Sequence, residues 1–161
     1  MTHNDTLQAS LATAMKELGS ELGAELSFDH QHLCLFRYQA DLDVAIQLFP
    51  EDGRLTFAAA LKDDLDPATE GLFPLLAMFN WMGVHTRGGT VCFNDETRSV
   101  VFWRDPVCTR WDGAELKAHL EDFIGLALEV REKFAEGLAA VPDALSATSA
   151  SAAGVTNGRY A

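Results

Sequence analysis

A chain of 161 residues is one domain of ordinary size, able to bury a core without disulfides or a structural metal. Its 24 acidic and 12 basic side chains leave a net charge of -12, which opposes nucleic acid and anionic membrane as partners, because phosphate contacts need a basic surface. The start Met1-Thr2-His3-Asn4-Asp5 has neither the basic residues nor the apolar run of a secretory signal, so the expected location is the cytoplasm, with no membrane insertion.

In chain order, Thr6 to about Leu22 reads as a helix. Leu7, Leu11, Met15, Leu18 and Leu22 recur at steps of four and three along one face, with Lys16, Glu17 and Glu21 off it. Three short strands follow, Leu33–Tyr38, Asp43–Phe49 and Arg54–Leu61, separated by turn-like stretches that join antiparallel neighbours into a meander. Asp66 and Pro67 suit a brief capped turn. Leu75–Met82 is expected to be one short helix, with Pro74 before it and Gly83 where it can stop. Asn80 is its only strongly polar residue. A helix apolar all round needs cover on more than one side, and a second copy of the chain is the expected second cover; burial inside a single copy is the competing explanation. Thr90–Phe93 and Ser99–Arg104 form a second hairpin. Asp112, with Glu115 three residues on, resembles a capping box that opens a long amphipathic helix, expected to end at Gly137.

Beyond that helix the chain turns rich in Ala, Ser, Thr and Gly with few large residues. It cannot offset the entropy of ordering, so residues 139–161 are expected to be a disordered tail behind a domain of residues 1–138. The fold class is α+β, in the order α-β-β-β-α-β-β-α, with an antiparallel sheet packed against helices.

Alternation along the strands sorts the sheet into two faces. Cys34, Phe36, Tyr38, Val44, Ile46, Leu48, Leu55, Phe57, Ala59 and Leu61 belong to the inner one, under the first and last helices. The outer face carries Arg37, Gln47 and Thr56, yet Leu33, Leu35, Phe49, Val101 and Trp103 interrupt it. An antiparallel sheet with one wet face normally alternates cleanly, so this surplus suggests a surface for an extended peptide. Cover by a dimer mate or by the last helix is the alternative.

Chemistry is sparse. His30, His32 and Cys34 alternate but lack zinc spacing, and Cys34, Cys92 and Cys108 make no disulfide framework. Cys108 with His85 or His119, or a site assembled from Cys34, His85 and Cys108, would be the enzyme reading; no nucleophile elbow, P-loop or dinucleotide fingerprint accompanies it. Asp63, Asp64 and Asp66 lack EF-hand spacing and read as a solvated turn. No catalytic residue, metal or cofactor is expected.

From Leu7 to Gly137 the chain resembles the CesT-like class I chaperones of bacterial type III secretion. The resemblance rests on Leu33-Cys34 with Phe36, on Asn80-Trp81-Met82 closing an apolar run, on Gly88-Gly89 before Val91-Cys92-Phe93, on Val100 to Arg104, and on the long final helix. The broad-range branch of plant pathogens called HpaB is similar, though no particular residue singles it out. The resemblance implies a homodimer joined through Leu76, Phe79, Trp81, Met82, Val91 and Phe93. It also implies that an N-terminal segment of a secreted effector protein wraps in extended form over Leu11, Met15, Leu33, Leu35, Phe49 and Trp103, and is then handed to the secretion ATPase. A regulatory adaptor that binds a folded partner through the same sheet face is the alternative.

Overall fold

The computed structural model describes residues 3–23, 25–39, 41–107 and 112–152, those at 3–8, 22 and 142–152 in backbone only. Helix α1 spans His3–Leu22; strands β1 (Leu33–Tyr38), β2 (Leu42–Phe49) and β3 (Arg54–Lys62) follow; then come α2 (Leu72–Asn80), a 3-10 turn (Trp81–Gly83), β4 (Thr90–Asn94), β5 (Ser99–Arg104) and α3 (Gly113–Ala152). The order is the α-β-β-β-α-β-β-α expected, and the two hairpins join into a single antiparallel sheet ordered β1-β2-β3-β5-β4.

The inner face is the one that alternation selects. Leu42, Val44, Ile46 and Leu48 are buried along β2, and Leu55, Phe57, Ala59 and Leu61 along β3. Against them lie Leu11, Ala14, Met15 and Leu18 of α1, and Leu116, Leu120, Phe123, Ala127 and Val130 of α3, in helical steps of three and four. Phe123 anchors the layer: it stacks on Phe102 at 5.4 Å between ring centroids and tilts onto Phe57 at 5.5 Å. Asp112 caps α3 as expected, its Oδ1 accepting from the Glu115 N–H at 2.9 Å.

Several helix boundaries differ from the sequence reading: α1 starts at His3 instead of Thr6, and α2 ends at Asn80 with a 3-10 turn taking up Trp81 and Met82. Helix α2 begins at Leu72, so Pro74 lies within its first turn instead of ahead of it. The first intrahelical bond runs from Leu75 N to Gly71 O, at 3.0 Å, so the missing proline N–H falls among donors that have no partner anyway. At the far end α3 runs on past Gly137 to Ala152. Packing explains part of the extension, since Phe134, Gly137 and Val141 lie antiparallel against Phe79, Leu75 and Gly71 of the α2 segment. A Cβ at Gly137 would come within 2.7 Å of the Leu75 side chain, and one at Gly71 would meet the Val141 methyls at a position of φ 77°, so the two segments pack closely at both glycines. Alanines 139 and 140, strong helix formers, carry the backbone on. Residues 153–161, the end of the expected tail, lie outside the described residues.

Candidate functional site

Pairing register places the outward side chains in rows across the sheet. One row reads Leu35, Ala45, Ala58, Trp103; the next, two residues along, reads Arg37, Asp43, Ala60, Val101. Ala45, Ala58 and Ala60 make a low floor, with Leu33 and Leu35 rising on the β1 side and Val101 on the β5 side. The result is an open trough of about 840 Å³. Leu35 stands 69% exposed. Arg37 and Asp43 close one end of the trough through Nε to Oδ1 at 2.6 Å and Nη2 to Oδ2 at 2.9 Å, and the guanidinium holds the Asp43 carboxyl below its ordinary value.

Not every residue expected in the binding patch belongs there. Leu33 and Leu35 line the trough, and Trp103 flanks Ala58 half-buried, with the Cys92 thiol as a hydrogen-bond partner. Phe49 sits at the opposite end of this face under the Arg54 guanidinium, 3.9 Å from the ring centroid, and Arg54 is in turn paired to Asp105. Leu11 and Met15 must be removed from the patch, because both are 0% exposed beneath α3. Their spacing marks a helix face that meets the core, which periodicity cannot distinguish from one that meets a ligand. The alanine floor is absent from the sequence reading. Its signal was present as three small residues at outward positions on adjacent strands, and a search for large hydrophobes passes over such residues.

A second apolar surface surrounds the end of α2. The inward positions Leu72, Leu75, Leu76 and Phe79 are buried, and the next face of the helix exposes Phe73 and Met78. Trp81 and Met82 follow at 71% and 82% exposure, then Val84. Met82 adopts left-handed backbone at φ 53°, a conformation that costs a non-glycine residue about 1–2 kcal/mol. Trp81, Met78, Val84, Ala77 and His85 border a notch of about 360 Å³. Of the six residues expected at a dimer contact, Trp81 and Met82 are exposed, Phe93 is half-buried against Phe73, and Leu76, Phe79 and Val91 belong to the monomer core. Phe73, Met78 and Val84 take their place on the surface. Starting the helix after Pro74 hid Phe73, although the step from 73 to 77 and 81 follows one helix face.

The sheet's two margins are treated differently. On β4 the Asn80 side-chain amide clasps Val91, donating from Nδ2 to its C=O at 2.7 Å and accepting from its N–H at 2.9 Å. This is the pairing a neighbouring strand would make, supplied by a side chain. On β1, His32 O accepts from Leu48 N of β2, so the backbone groups of Leu33, Leu35 and Arg37 alternate away from β2. Asp29 occupies those of Leu33. The N–H and C=O groups of Leu35 and Arg37 are left facing outward beside the trough.

The titratable groups have structural settings. Burial pushes the Cys34 and Cys92 thiols up, as in inert packed cysteines, and His85 packs on the Phe79 ring at 5.3 Å. Among the described residues no group of three or more His, Cys, Asp or Glu could hold a metal ion. Cys108 lies outside the described residues, and so does any site built on it.

Among the described residues this acidic domain leaves two apolar surfaces uncovered. The chain belongs to the Tir chaperone protein (CesT) family, whose sequence profile matches residues 13–131. This is the type III secretion chaperone family that the residues resemble, and its members bind effectors and are not enzymes. No curated protein sequence matches the chain. Among solved structures, a chain of the ExsC-ExsE complex is similar at TM-score 0.60 and 22% identity, covering 79% of this chain and 92% of that one. The HopA1-SchA chaperone-effector complex gives TM-score 0.61 at 12% identity, covering 82% and 98%. The Yersinia pestis secretion chaperone SycH, in complex with a fragment of YscM2, gives 0.50 at 13%, covering 74% and 98%. At these identities the likeness is one of fold. Among the described residues no helix is long and apolar enough to cross a membrane.

Proposed function

We propose that the alanine-floored trough seats an N-terminal segment of a secreted effector in extended form, keeps it export-competent and presents it to the secretion ATPase, and that the α2 surface joins two copies into a homodimer in the cytoplasm. The observation that carries the reading is the trough itself: apolar, concave and left uncovered by the described residues. An extended segment with large side chains at alternate positions suits a floor of alanines between walls set by β1 and β5. Each large apolar side chain that is buried contributes about 1.5–3 kcal/mol, so a few anchors offset the roughly 2–5 kcal/mol or more that ordering the guest costs. Binding of this kind needs no cofactor.

The α2 surface supports the twin. Its projecting Trp81 and the neighbouring notch lie on one patch, as an isologous contact requires. Strain retained at an exposed Met82 is what a contact that needs that side chain outward would preserve. Residues 139–161 fall outside the matched span, and neither role is assigned to them. A broad-range chaperone like the HpaB branch would seat more than one client here, and alanines accept many shapes. The test is co-expression with candidate effectors followed by limited proteolysis. The client's N-terminal segment, labile when free, should become protected in the complex; a client that stays folded and gains no protection would favour the adaptor reading.

A further inference from the structure

We infer that the trough reads number and spacing: it seats two large apolar side chains two residues apart in an extended client segment and gives a third no place. The inference rests on the client reading above, drawn for a chain whose family binds effectors, and adds a rule for the guest's sequence. Two seats follow from the strand register. Ala58 and Ala60 stand two residues apart on the outward side of β3. That step is about 6.6–6.8 Å, which is also the advance of an extended guest over two residues. Over Ala58 the space lies between Ala45 on β2 and Trp103 on β5. Over Ala60 it lies between Asp43 and Val101. Arg37 holds both oxygens of Asp43, so this seat is flanked by a closed ion pair instead of a free charge. The first seat has an alanine where the second has that pair, and so it takes the larger side chain.

Both directions are closed to a further anchor. Two residues before Ala58 on β3 comes Thr56, paired with Gln47, and neither lines the trough. The Thr56 hydroxyl is bonded to Asp105, which also holds Arg54, and the Gln47 amide donates to the carbonyls of Gln31, His32 and Leu48. A large apolar side chain set there would desolvate this network. In the other direction the pairing of β3 with β5 slips between Ala60 and Lys62, so the outward row of alanines stops at Ala60. Beyond it the lining turns polar, with Asp63, Asn94, Thr97 and Ser99. The hollow therefore fixes how many anchors enter and how far apart they stand, while its small floor leaves their identity open.

The test uses labelled Ser/Thr-rich peptides and fluorescence anisotropy on the full chain. Five peptides carry one phenylalanine, a phenylalanine with a leucine two, three or four residues away, or a phenylalanine followed by two leucines at successive two-residue steps. The two-residue pair should bind about tenfold tighter than the single phenylalanine, and the triple should stay within about threefold of that pair. The three- and four-residue pairs should bind like the single. Ala60→Leu, which fills the second seat, should bring the ratio between pair and single close to one, whereas Ala60→Ser, which leaves the space open, should keep most of it. Urea titration checks that each variant is folded, and the peptide series decides alone if Ala60→Leu is not. A triple that gains as much again as the pair did makes the trough a continuous track and overturns the rule. So does an equal gain from the three- or four-residue pair, or a gain that survives Ala60→Leu in a folded chain. Each of these outcomes leaves the trough standing as a client seat. If no peptide binds, the rule falls; if a natural client is in addition unaffected by Leu35→Asp, the seat itself is wrong.

Discussion

The two uncovered surfaces are apolar in opposite ways. The trough is concave, floored by three alanines, and owes its shape to side chains that are small; the α2 surface is convex and made of Phe73, Met78, Trp81 and Met82, among the largest the chain has. A hollow lined by small groups imposes little on what enters, which suits guests of differing sequence. A ridge of aromatic and thioether side chains beside its own notch fits one shape well, and the shape always available at matching concentration is its twin. In the proposed roles, one patch is permissive and the other specific.

Substitutions can break that division. Trp81→Glu should have the largest effect, raising the homodimer dissociation constant by about 30-fold or more, as loss of a hot-spot aromatic worth at least about 2 kcal/mol does. Sedimentation velocity over a concentration series measures it, and a mass and affinity identical to the unmodified chain would remove the ridge from any pairing role. Leu35→Asp should act on the other side, weakening client binding by roughly tenfold or more through the loss of about 1.5–3 kcal/mol of burial. At 69% exposure it should leave stability within about 0.5 kcal/mol and pairing unchanged. If client affinity survives, the wall of the trough is elsewhere. Asn80→Ala should lower folding stability by about 1–3 kcal/mol, since the Val91 N–H and C=O lose their partners; urea titration reads this directly.

Met82→Gly sharpens the contrast, because its two effects have opposite sign. Relief of the left-handed backbone should stabilise the monomer by up to about 1 kcal/mol, while loss of the side chain weakens pairing. Were pairing unaffected, the strain would need another explanation. The smallest effect concerns Asp43. Arg37 lowers its folded pKa below the ordinary aspartate value, so the contribution to stability is present above about pH 4 and is lost as pH falls through the folded value. An Asp43→Asn chain should therefore show a flatter decline in stability with acid.

How far the residues revealed all this depended on what each signal measures. Alternation identified the inner face down to Ala59, and β1 and β5 start and stop where composition put them, because a sheet with one buried face leaves a period-two record. The capping role of Asp112 was equally legible, being local. The start of α2 was not, since proline is tolerated throughout a first turn and only the approach of Val141 to Gly71 reveals where that turn lies. The site was half visible. Leu33 and Leu35 stood out as apolar residues on a polar face, but the hollow between them and Val101 is made by what Ala45, Ala58 and Ala60 lack. Leu11 and Met15 failed because one helical stripe can meet a core or a guest, and which it meets is decided by α3, more than a hundred residues away in the chain.

The Asn80 clasp has a consequence for assembly. A five-stranded layer with two bare margins could lengthen indefinitely, each copy templating the next into a fibre. Where the Asn80 amide takes up the Val91 N–H and C=O, an added strand cannot pair at that point, so the β4 margin is a poorer template for a neighbouring copy than a bare edge would be.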